Sequence, residues 1–176
     1  MGRSFYRPSA ENAGAATYYH KTSDSYFAML QRDGKFYQRR HQVDSSGQEV
    51  NVLERQIDFV MGSGNHARTY LHRTERGTLI ELPLGWYADE GGHWAMNPGY
   101  DQVSHDGFRR KVAYECMFCH NGYPRIPAGH ERVGAEPVYL DPLPEGIDCQ
   151  RCHGPGGKHR AGCNVELAGK RWITHP

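Results

Sequence analysis

The sequence predicts an α+β chain forming one module over residues 1–176. An antiparallel β meander occupies residues 1–100, and a loop-rich region with a short helix follows over 101–176. Three observations predict it. In the first hundred positions, turn residues recur between short runs rich in aromatic and β-branched side chains. Glycine and proline number 21 and 10 of 176 residues and only 38% of the chain is apolar, which disfavours long regular elements and a large side-chain core. The remaining part carries the pattern Cys-x-x-Cys-His twice, at Cys116–His120 and Cys149–His153.

Residues 1–17, with Pro8, Gly14 and several small side chains, read as an irregular arm. Tyr18 leads into a strand-like run with Tyr26, Phe27, Met29 and Leu30, and Lys35 to Val43 resumes after Asp33-Gly34. Asp-Gly between two such runs is a hairpin signal. A second turn at Asp44–Gly47 precedes Val50 to Val60. There the spacing of Leu53, Ile57 and Val60 permits a helix, while the alternation through Asn51, Leu53, Arg55, Ile57 and Phe59 favours a strand, the reading adopted.

Gly62–His66 is a tight turn; it lacks the lysine and hydroxyl of a phosphate loop, which excludes nucleotide binding there. Ala67 to Arg73 continues beyond it. Thr78 to Leu82 is a short strand stopped by Pro83, and Trp86-Tyr87 and Trp94 flank a turn at Gly91-Gly92. From Phe108 to Met117 the pattern predicts a short helix carrying the first motif at its C-terminal end. Five prolines between Pro124 and Pro144 then predict a linker over the surface.

Cys-x-x-Cys-His is the attachment signature of c-type haem. Two thiols at this spacing add to the two vinyl groups of one porphyrin, and the histidine reaches the iron from one side. Cys116 and Cys119, with Cys149 and Cys152, are therefore the candidate attachment residues for two covalent haems, and His120 and His153 the candidate proximal iron ligands. Two macrocycles also suit a chain of mean hydropathy −0.78, since each offers a broad apolar surface to pack on. Cys163 is left without a partner in either motif.

Net charge is +1, from 21 basic and 20 acidic residues, with no long run of one sign and so no basis for a nucleic-acid partner. The basic residues from Arg151 to Arg171 read as a solvated tail or as partners for haem propionates. No stretch is apolar enough to span a membrane. Residues 1–6 carry no export-signal pattern, whereas covalent haem implies an extracytoplasmic, periplasmic location; the expectation is that the sequence is a fragment or begins downstream of the true start.

On Cys116–Tyr123 (CMFCHNGY), Ile147–His159 (IDCQRCHGPGGKH), Gly62–Leu71 (GSGNHARTYL), Glu81–Tyr87 (ELPLGWY) and Trp94–Asp101 (WAMNPGYD), the chain resembles bacterial multihaem c-type cytochromes of the cytochrome c554 / c-prime class. That class includes long relatives joined to tetratricopeptide repeats. The resemblance implies a multihaem cytochrome c-like fold, electron transfer with redox partner proteins, and further haem or tetratricopeptide segments in a longer chain. It also implies a ligating histidine six residues after the second proximal one, which is His159, serving its own or a neighbouring haem.

The sixth iron positions remain open to several residues. His66 ranks first, because a Gly-Ser-Gly-Asn turn projects a side chain while letting a bulky ring approach the backbone. His159 is next, then His20, with His41 behind; Met96 reads as core packing before axial thioether, and Trp86, Tyr87, Trp94 and Tyr100 as packing before haem edge. Three functions compete: an electron carrier with two bis-histidine haems, an enzyme with an open haem site for a small nitrogen or oxygen compound, and a zinc module using the four motif cysteines.

Overall fold

The computed structural model describes residues 4–122 and 124–147. Four strands form a first antiparallel sheet in chain order: β2 (Ala16–His20), β3 (Ser25–Arg32), β4 (Lys35–Val43) and β5 (Glu49–Ile57), preceded by the short β1 (Phe5–Tyr6). A second sheet runs β1, β6 (Phe59–Met61), β7 (Ala67–Arg73), β9 (Leu84–Tyr87) and β10 (His93–Met96), with β8 (Leu79–Glu81) also paired to β7. Every pairing is antiparallel. A single α-helix is present among the described residues, α1 (Tyr114–Asn121), besides two 3-10 turns at Lys21–Ser23 and Asp89–Gly91.

The expected α+β class with a loop-rich haem-binding half is therefore overturned. Strand accounts for 40% of the described residues and helix for 10%. The reason lies in the second sheet, which is buried on both faces and so organises the later residues as well. Side-chain alternation along its strands does this. Tyr6, Val60 and Tyr70 point into a core shared with Phe27, Met29, Phe36 and Ile57 of the first sheet. Their neighbours Phe5, Phe59 and Leu71 point the other way, into a second core with Leu79, Val112, Met117 and Tyr139. The registers Val60↔Tyr70 and Phe59↔Leu71 keep the two sets on opposite faces.

The two sheets are fastened by a buried polar clamp. Gln38 of β4 is fully buried; its Nε2 donates to the Leu84 carbonyl at 3.0 Å, and its Oε1 accepts from the Leu84 amide at 2.9 Å. Both polar ends of the carboxamide and both of the facing peptide groups are satisfied at once.

The Asp33-Gly34 hairpin forms as expected. Arg32 pairs with Lys35 across it, and both turn residues have positive φ, 49° and 72°, the conformation whose twist suits two-residue hairpins. A Cβ at Gly34 meets no atom within 4 Å. Gly34→Ala therefore isolates the backbone cost and should lower stability by about 1 kcal/mol, read from the urea midpoint. The next turn is built by Asp44, whose Oδ1 accepts from the amides of Ser46 and Gln48 at 2.9 and 3.0 Å. Residues 49–57 are strand, as the alternation indicated.

The helix expected over 108–117 begins only at Tyr114 and holds the whole first motif. Residues 110–112 instead pair with β8: the Glu81 amide donates to the Arg110 carbonyl at 2.8 Å and the Val112 amide to the Leu79 carbonyl at 2.9 Å. The proline-rich stretch is not merely laid on the surface, since Tyr139 is buried in the second core and Val138 bridges to Thr78. Among the described residues no helix is long and apolar enough to cross a membrane.

Candidate haem attachment site

Helix α1 starts after Ala113 in extended conformation and stops at Gly122, whose left-handed φ of 60° lets its amide donate back to the Met117 carbonyl at 3.1 Å. Met117 and Asn121 face inward, Met117 into the second core. At 3.6 residues per turn, Cys116, Cys119 and His120 stand at i, i+3 and i+4 on one face. With Met117 fixing the inner side, that face turns outward. Both thiols are exposed and neither is in a disulfide. His120 is half-buried, and burial holds its imidazole below the ordinary histidine range, which favours the neutral ring with a free lone pair.

Two accessible thiols and one neutral imidazole on a single helix face are the donor set that a covalently attached haem requires, so these residues fit the group. Phe118, 49% exposed, adds apolar surface beside them. Among the described residues no group of three or more His, Cys, Asp or Glu is arranged to hold a metal ion by itself. Cys149, Cys152, His153 and His159, together with Cys163, lie outside the described residues, as does the basic tail.

The end of α1 is tied to the turn that carries His66. Ser4 Oγ donates to the His120 carbonyl at 2.8 Å, and the Ser4 carbonyl accepts the Gly62 amide at 2.9 Å. The His66 carbonyl accepts from the Ala88 amide at 2.8 Å, fixing the far side of the same turn, and its side chain is exposed. Among the described residues, His66 and His120 are the two histidines whose rings have no hydrogen bond, ion pair or ring contact. Ser4 carried no signal in the sequence, because a contact spanning 116 positions leaves no local pattern.

His20 is placed differently. It closes β2 in the first sheet, is 5% exposed, holds Ser23 Oγ at 2.7 Å through Nδ1 and abuts the His105 ring, while α1 lies on the face of the second sheet turned away from the first. His41 stacks on Tyr26 and approaches Glu49. Met96 sits in the core between the sheets, Trp86 and Trp94 pack against that core, and Tyr100 is buried within it under the Arg110 guanidinium, 3.8 Å from the ring centroid. Asn121 is a second residue the sequence did not single out: it is fully buried, its Nδ2 donates to the Pro144 carbonyl, and its Oδ1 has no partner among the described residues.

No family model, no curated protein and no solved structure matches this chain.

Proposed function

We propose that the chain is a c-type cytochrome that carries two covalent haems and passes electrons to redox partner proteins outside the cytoplasm. The observation that carries this reading is the outward face of α1, where two exposed thiols and an imidazole stand at i, i+3 and i+4. In that arrangement Cys116 and Cys119 would hold the group and His120 would supply a nitrogen to its iron; Met117, anchored below, fixes the direction in which they point. Cys149, Cys152 and His153 take the same roles for the second haem. When bound, each haem supplies a one-electron iron couple, whose potential is lower with two histidine ligands than with histidine and methionine.

His66 would supply a second nitrogen to the first iron, a role supported by its unengaged ring and by the Ser4 link between its turn and the helix. The deciding experiment is a pyridine haemochrome assay on protein expressed behind an export signal in cells able to mature cytochromes. Two c-type haems per chain are expected, low-spin and unaffected by carbon monoxide; colourless protein of unmodified mass ends the reading. His66→Ala should then convert one haem to a species that binds carbon monoxide, with the other unchanged. If carbon monoxide binding stays absent in that variant, another residue is the ligand.

A further inference from the structure

We propose that a groove beside β8 is a binding site for a small organic anion with a flat apolar body. The groove has a volume of about 530 Å³, within the range of about 300–1,000 Å³ usual for small-molecule sites. It forms where the end of β5, the turn after β7, β8 and the segment 108–111 meet. Strand pairing sets its chemistry. Lys111 lies opposite Ile80 in the bridge to β8, so alternation sends Lys111 and Arg109 to the groove side and Val112 into the second core. Arg55 and Arg76 also line it, and Ile80 and Phe108, each 8% exposed, supply its apolar surface.

The charges divide into spent and unspent. Glu136 occupies Arg76 and Lys111, at 2.7 and 3.3 Å, and His72 is held by Asp58 at 3.2 Å. Arg55 and Arg109 have no carboxylate among the described residues; each gives one hydrogen bond to a backbone carbonyl, of Glu54 at 2.9 Å and Asp106 at 3.1 Å. A guanidinium has five N–H donors, so most of theirs remain available to a carboxylate, sulfonate or phosphate ester, which it grips in bidentate fashion. Glu75, also in the lining, and the neutralised pairs weigh against a polyanionic polymer and for a ligand with one or two charges. The apolar surface selects for a hydrophobic body attached to that charge.

The full chain titrated with 2-naphthoate, followed by backbone amide NMR, tests this. Saturable shifts at Ile80 and Lys111 are expected, with 2-naphthalenemethanol and acetate each binding at least about tenfold more weakly, since one lacks the charge and the other the apolar body. The double variant R55Q/R109Q should weaken naphthoate by about tenfold or more. Both side chains are exposed, so the unfolding midpoint should not move; if it does, R55K/R109K decides, because it keeps charge and removes the bidentate fork. Absence of saturable shifts, equal affinity for the neutral or the body-less probe, or unchanged binding in whichever double variant folds, overturns the assignment. None of these outcomes depends on haem attachment.

Discussion

Alanine at both Cys116 and Cys119 is expected to remove one of two covalent haems from the exported protein and leave its fold intact. The two thiols are exposed and cross-linked to nothing in the chain, so their loss opens no cavity and should change stability by less than about 0.5 kcal/mol. On the proposed function, what is lost is the pair of bonds that would hold the macrocycle. Haemochrome content should fall from two to one per chain, and the intact mass by one haem, while the far-UV circular dichroism of the sheets persists. Alanine at Cys149 and Cys152 should remove the other haem in the same way. Two haems retained in C116A/C119A would show that α1 is not an attachment site. A colourless wild type that binds one zinc and releases it in either double variant would establish a four-thiolate centre instead.

Gln38→Leu is the second large effect. The substitution keeps the side chain's approximate volume and deletes the clamp between the sheets. The Leu84 amide and carbonyl then lie buried without partners, at about 1–3 kcal/mol each, so a total loss of about 2–6 kcal/mol is expected. A domain usually has only about 5–15 kcal/mol in hand. Urea unfolding by tryptophan fluorescence reads this directly, through Trp86 and Trp94, which pack against the core the clamp crosses. A loss under about 1 kcal/mol would mean that the sheets separate enough to admit water to Leu84.

What the sequence revealed was local. Asp33-Gly34 carries its own turn chemistry, Asp44 has acceptor geometry for the residues that follow it, and Cys116–His120 is legible as a donor set without any tertiary context. The strand at 49–57 was legible because alternation outweighed the spacing of Leu53, Ile57 and Val60. The class was misjudged where long-range pairing decides. Val112 looks like part of a helical face, but its amide is taken by Leu79, so helix formation waits until Tyr114. Nor does any pattern in Phe59-Val60 announce that each residue serves a different core; that follows only from the layers on either side. At the site, His66 was named for its glycine-rich turn, whereas the Ser4 bridge that brings this turn to α1 joins residues no window could contain.

Because the second sheet contributes side chains to both cores, the packing of each neighbouring layer depends on it. Loosening β6 or β7 withdraws Val60 and Tyr70 from the sandwich and, in the same movement, Phe59 and Leu71 from beneath α1. The thiol-bearing helix is thereby enrolled in the same cooperative unit as the hairpins of the opposite wall. The helix is therefore expected to lose its anchorage together with the sheets beneath it, in one transition.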